Sequence, residues 1–200
     1  MWTLRSAQAS PFGRKVRIAA AICGLEDRIT IETTDTTDPT DSLRRQNPLG
    51  KIPALILEDG TVLYDSAVIV DFLDVEAGGG VIIPKGRERF HVLTMQALAD
   101  GMKEAAILKV YEGRYRAPEM HNARWLENQT GKVERGLATF EASPPSLSDK
   151  PDVGRIAIAC ALGYLDFRFE GKWRETHPRL VAWLDDFADR VPSFEATRPS

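Results

Sequence analysis

Two cysteines in 200 residues, Cys23 and Cys160, are too few and too far apart for a disulfide framework. No Cys-x-x-Cys pair supports dithiol chemistry. Each cysteine sits among alanines and isoleucines, so both are expected as small buried apolar residues in a reducing compartment. The three histidines, His91, His121 and His177, have no metal-ligand spacing with cysteines or carboxylates, and no metal is expected. Basic charge is not in excess. With 26 Lys and Arg against 29 Asp and Glu, the formal net charge is −3, which leaves no footprint for nucleic acid and no polybasic patch for a membrane. No apolar run approaches the roughly eighteen residues of a membrane span. The start, Met1-Trp2-Thr3-Leu4-Arg5, leads into polar sequence rather than a signal-peptide core, so a cytoplasmic location is expected. What the chain does have is 43% hydrophobic residues, enough for a core in one large domain or two small ones, and its expected partner is a small molecule.

The most constrained stretch is Asn47-Pro48-Leu49-Gly50-Lys51-Ile52-Pro53-Ala54-Leu55. Pro53 stands where a strand should begin and has no N–H to give to a ladder. Two readings stay open: a cis Ile52–Pro53 bond that turns the main chain of Ile52 toward a peptide-like ligand, or an ordinary loop with a trans proline. Upstream, residues 2–5 read as a strand, and Ser10-Pro11 is a helix start, with Ser10 able to cap and Pro11 at the first helical position. Val16, Ala19, Ala20 and Cys23 recur at helical spacing until Gly24, and the alternation Ile29, Ile31, Thr33 reads as a second strand. Asp41-Ser42 can cap a short helix. Downstream of Pro53, Asp59-Gly60 between two apolar runs reads as a hairpin, and Asp65-Ser66 opens a helix through Leu73.

After Gly78-Gly79-Gly80 the strand signals stop. Val92, Met95, Ala99, Met102 and Ala106 mark one face of a long helix, and the stretch from Glu119 to Glu141 supplies another, ended by Ser143-Pro144-Pro145-Ser146. Ile156 to Phe167 is apolar on most sides and reads as a central helix; Leu180, Trp183, Leu184 and Phe187 line the last one.

Ser10-Pro11, the Asn47–Leu55 stretch and Tyr64-Asp65-Ser66, in this order and spacing, resemble the N-terminal domain of cytosolic-type glutathione S-transferases. Gln96-Ala97-Leu98-Ala99-Asp100-Gly101, Ala157-Ile158-Ala159-Cys160-Ala161-Leu162 and His177-Pro178-Arg179-Leu180 resemble the second domain of bacterial members. The resemblance implies an α/β thioredoxin-like glutathione-binding domain over 1–79 and an all-α domain over 86–200 that forms the electrophile pocket. The implied activity is conjugation of glutathione, the co-substrate, to a hydrophobic electrophile, as in detoxification. A glutathione-dependent isomerase, dehalogenase or lyase, or a non-catalytic binding protein of the same fold, remains open. A homodimer is implied as well.

By the same resemblance Ile52 pairs its main chain with the cysteinyl part of glutathione and Pro53 holds that pose. Asp65 and Ser66 suit the γ-glutamyl end, since a hydroxyl and N–H groups at a helix start take a carboxylate and an acid balances an ammonium. Either residue is equally suited to simple capping. Lys51 can neutralise the glycyl carboxylate or stand solvated. A thiol of pKa about 8.5 is only a few per cent ionised at neutral pH, so an enzyme must stabilise the thiolate. Ser10 can donate to the sulfur at the positive end of a helix, or serve only as a cap; Ser6 is the weaker alternative and Arg14 can add positive field. The expected electrophile walls are Phe12, the helix from Met102 to Tyr115 with Tyr111, Arg114 and Tyr115, and Trp125. Asp100 can reach a neighbouring subunit's glutathione. Asp152 and Arg155 replace the family's capping box, and Arg155 cannot return the hydrogen bond.

Overall fold

The structure is a computed structural model that describes residues 1–148 and 150–199; Asp149 and Ser200, both within the expected second domain, lie outside the described residues. Strands β1 (Trp2–Ser6), β2 (Ile29–Thr33), β3 (Ala54–Ile56) and β4 (Val62–Leu63) form one sheet in the order β2-β1-β3-β4. The β1–β2 pair is parallel, with Leu4 opposite Ile31, and the other two pairs are antiparallel. A parallel pair needs a crossover, and helix α1 (Pro11–Ile22) supplies it. Val16, Ile18, Ala19 and Ala20 of α1 are buried against the sheet with Leu4 and Leu55. β2 is the strand read from the alternation Ile29, Ile31, Thr33. It lies at the sheet edge, and Ile31 is 47% exposed.

Helix α2 (Leu43–Gln46) is the short helix expected after Asp41, whose Oδ1 accepts from the N–H of Leu43 at 2.6 Å. Arg5, buried on β1, donates to Asp41, Ser42, Gln46 and Thr34, so one guanidinium ties the central strand to the whole 34–46 segment. Helix α3 (Ser66–Glu76) covers the sheet through Ile69, Val70 and Leu73. The carboxylate of Asp74 then accepts from the N–H groups of Gly80, Ile82 and Ile83, and the Ile82 carbonyl accepts from Val153 N–H at 2.9 Å, which together satisfy a connecting segment that lies outside the sheet.

Every element beyond this point is helical: α4 (Glu88–Tyr115), α5 (Ala123–Ala142), α6 (Val153–Phe169), α7 (Pro178–Arg190) and α8 (Pro192–Ala196). The expected start at Glu119 is instead a 3-10 turn over Pro118–Met120, and α5 begins after Asn122, whose side chain caps Trp125 N–H. α6 is buried from Val153 to Leu165 apart from Arg155 and packs on α4 so closely that a Cβ on Gly154 would lie 2.8 Å from the carbonyl oxygen of Val92. Asp152 caps α6 by accepting from the N–H of Arg155, and the Arg155 guanidinium pairs with its other oxygen. A charge pair thus replaces the missing return bond. Among the described residues no helix is long and apolar enough to cross a membrane.

Candidate functional site

Helix α1 starts where it does because Ser10 caps it: Gly13 N–H donates to Ser10 Oγ at 3.1 Å and Arg14 N–H to Ser10 O at 2.9 Å. Gly13 cannot be larger in this arrangement, since a Cβ there would lie 2.0 Å from Ser6 Oγ. The first turn of α1 is therefore pressed against the end of β1, which sets the position of Ser10. Its hydroxyl oxygen is occupied as an acceptor by the cap, while its O–H remains available to donate.

The turn before β3 is organised by Asn47, which is buried. Its Nδ2 donates to Lys51 O at 2.8 Å, its Oδ1 accepts from Leu49 N–H at 3.1 Å, and its own carbonyl accepts from Gly50 N–H at 2.8 Å. The Ile52–Pro53 peptide bond is cis, and so is Tyr64–Asp65. The main-chain N–H and C=O of Ile52 have no hydrogen-bond partner among the described residues. At the start of α3, Asp65 is exposed and its Oδ1 accepts from Ala67 N–H at 2.8 Å, while Ser66 is buried.

These segments form one wall of a cavity of about 640 Å³. Ser10, Lys51, Ile52, Pro53, Asp65 and Ser66 all line it, and so do Phe12, Tyr111 and Tyr115, so the nine residues singled out in the sequence converge on one space. The opposite wall is helical. From α4 it takes Glu104, Ile107, Leu108, Tyr111, Arg114 and Tyr115, which recur at the three- and four-residue spacing of one helix face. From α6 it takes Tyr164 and Arg168, one turn apart. Both belong to the stretch around the central helix that reads as core, and only the loss of hydropathy at its C-terminal end could have signalled them.

Other expectations fail. Trp125 lines a separate cleft of about 310 Å³ that shares Leu108, Tyr111 and Tyr115 with the main cavity. Met102 is buried away from the cavity, in the place a Gly136 side chain would need. Ser6 is buried under α1 and does not line the site. Arg14 does not line the cavity: its guanidinium lies 4.0 Å from the centre of the Phe194 ring and Nη2 donates to Phe194 O at 2.6 Å, clamping α8 onto α1. It is two residues from Phe12, about 200° around the helix, and so faces the other way.

Asp100 is likewise committed within its own chain. Its Oδ2 lies 2.7 Å from Lys15 Nζ and its Oδ1 2.7 Å from Lys103 Nζ, the second contact being an ion pair out of hydrogen-bond alignment. Both lysines are fully buried, which nothing in their sequence surroundings announces. Burial, helped by the like charge of Lys103, pulls the Lys15 ammonium down to about 8. Burial pushes the Asp100 carboxyl upward, but Lys103 and Lys15 outweigh it and hold the group below the usual carboxylate range. The two ammonium groups stand 4.6 and 5.8 Å from the centre of the Phe12 ring, so Phe12 separates this cluster from the cavity. The cysteines stay out of the chemistry. Cys160 is buried as expected, with its thiol pushed up by burial, whereas Cys23 is only half-buried, and burial beside Asp74 pushes its thiol up to about 11.

Residues 9–76 match the model of the glutathione S-transferase N-terminal domain and residues 123–186 that of the C-terminal domain. A curated relative, an uncharacterised GST-like protein YibF of Escherichia coli (strain K12), is 31% identical over 203 residues, covering 98% of each chain. A crystal structure of a glutathione transferase family member from Pseudomonas fluorescens Pf-5 with bound glutathione is 44% identical, covers 100% of both chains and superposes with a TM-score of 0.93. A second structure from that organism, with bound S-(propanoic acid)-glutathione, is 43% identical with the same full coverage and a TM-score of 0.89. With a thioredoxin-like mixed sheet followed by a helical domain and with these relatives across its length, the chain belongs to the glutathione S-transferase family.

Proposed function

We propose that the protein is a glutathione transferase that binds glutathione against the turn and α3 wall, stabilises its thiolate beside Ser10, and joins the sulfur to a hydrophobic electrophile. The observation that carries this reading is the free main-chain edge of Ile52, which opens onto the same cavity as the Ser10 hydroxyl and the α3 start. A peptide-like ligand can pair with that edge as an added strand, held in pose by Pro53. Ser66 and the N–H groups at the start of α3 suit the γ-glutamyl carboxylate, Asp65 the ammonium, and Lys51 the glycyl carboxylate. The reading is also supported by relatives crystallised with glutathione and with a glutathione bearing a substituent on sulfur.

In the reaction the thiol gives its proton to solvent, and the Ser10 hydroxyl donates a hydrogen bond to the thiolate at the N-terminus of α1. With a halide substrate the sulfur lone pair forms the C–S bond while the halide leaves with the bonding pair. The glutathione wall comes from the 1–79 domain, and the electrophile wall from the 86–200 domain together with Phe12 of α1. A cytoplasmic homodimer completes the reading; the exposed Val68 and Val75 of α3 and Phe90 and Leu98 of α4 supply apolar surface for it.

Titration with glutathione, followed calorimetrically and by ultraviolet difference spectra, tests the proposal. Wild type is expected to bind and to ionise the thiol near neutral pH. Ser10→Ala is expected to bind but to lose about tenfold of the thiolate signal, with about 1 kcal/mol of stability lost with the cap. Absence of binding would overturn the function, and an unchanged thiolate signal would remove Ser10 from its role.

A further inference from the structure

We infer that the helical wall of the cavity recognises a carboxylate on the electrophile, so that the second substrate is an amphipathic organic acid held by Arg168 and Arg114. The inference rests on the transferase reading above and specifies its second substrate.

Arg168 and Arg114 both line the cavity, and among the described residues neither makes an ion pair, although Arg114 helps to hold the Asp35 carboxyl down from outside the cavity lining. What they touch instead is aromatic. Arg168 lies 4.3 Å from the centre of the Phe167 ring, with Tyr164 one turn before it on α6, and Arg114 lies 5.4 Å from the centre of the Tyr111 ring. These contacts hold a guanidinium plane in place without neutralising it. Arg168 Nε is buried with no hydrogen-bond partner, so the guanidinium that lines the cavity is not fully satisfied within the protein.

The surroundings narrow the class further. Phe12, Ile107 and Leu108 give the same space an apolar lining, so a small inorganic anion would leave most of it unfilled. Glu104 is the one acid that α4 adds to this wall; it is exposed, and against two arginines it leaves the wall net positive. A guanidinium binds carboxylate through paired parallel hydrogen bonds, a geometry that a neutral ester cannot reproduce with the same strength. The ligand that uses both features has an apolar body, a reactive carbon near the sulfur, and a carboxylate at the far end.

Two adducts that differ only in that group test the inference: S-benzylglutathione and S-(4-carboxybenzyl)glutathione, each titrated into the full chain by calorimetry beside glutathione itself. Wild type is expected to prefer the carboxylated adduct by about tenfold, a ratio that corresponds to one charge-assisted pair. Arg168→Gln and, separately, Arg114→Gln are each expected to bring the ratio toward one, and two independent variants guard against misfolding of either. Equal affinities for the two adducts in wild type, with glutathione bound, overturn the inference alone. A preference untouched by both folded variants also overturns it, since the carboxylate would then be held elsewhere. Failure to bind glutathione overturns the proposed function and this inference with it.

Discussion

The two walls of the cavity are built by different means. On one side, residues 47–53 and the starts of α1 and α3 present main-chain groups and short polar side chains fixed by local bonds, such as the three made by Asn47. On the other, α4 and α6 present long side chains, including Tyr111, Arg114, Tyr115, Tyr164 and Arg168, whose backbone is already satisfied within its helices. A wall made of backbone suits one unchanging ligand, because substituting a side chain leaves its donors and acceptors in place. A wall made of helix faces can be rewritten one residue at a time, which is how one fold hosts different second substrates.

Between them lies the Lys15–Asp100–Lys103 cluster, which joins α1 to α4 directly behind Phe12. If the two walls form one cooperative body, breaking this joint has the largest effect. Asp100→Asn leaves two buried ammonium groups without their counter-charge, and chemical denaturation is expected to reveal a loss of about 3–5 kcal/mol in a single transition. Two separate transitions, with the sheet domain unaffected, would mean that the walls are independent.

Lys15 sharpens the same point through pH. Its folded-state value, about 8, lies below the ordinary lysine value of 10.5, so the unfolded chain holds the proton more tightly. The group therefore depresses stability most below about pH 8, and the penalty is relieved progressively as pH rises from about 8 toward 10.5, because over that range the unfolded state keeps a proton that the folded state has lost. Relative to Lys15→Met, wild type is expected to gain about 2 kcal/mol between about pH 7 and pH 9.5, measured by denaturation at both values. A flat difference would mean that Asp100 neutralises Lys15 fully across the range.

The smallest effect bears on the backbone wall alone. Asn47→Ala removes the bonds that hold Lys51 and Leu49 in the turn, and glutathione affinity is expected to fall by about three- to tenfold with the KM of the electrophile little changed. Equal losses for both substrates would erase the distinction between the walls.

The same division explains what could be read in advance. Ser10-Pro11, Pro53 and Asp65-Ser66 act through their own backbone, and the cap at Ser10, the cap at Asp65 and the cavity position of Ile52 lie where the sequence places them. The surroundings of Arg14, Asp100 and Trp125 depend instead on which face of a helix meets which neighbour. Arg14 serves α8 rather than the site for this reason. Arg5 reaches partners 29 to 41 positions away and Asp74 backbone groups six to nine positions on, contacts that no helix or strand period marks.

By itself the sequence determined the elements, the family and the backbone-built wall, since turn residues, caps and apolar periodicity are set by neighbours within a few positions. The tertiary structure alone decided that Lys15, Asp100 and Lys103 share one buried cluster, and that Tyr164 and Arg168 of the central helix complete the second wall. Those outcomes depend on the phase and crossing of α1, α4 and α6, and hence on close approaches such as Gly154 against Val92, which no local pattern encodes.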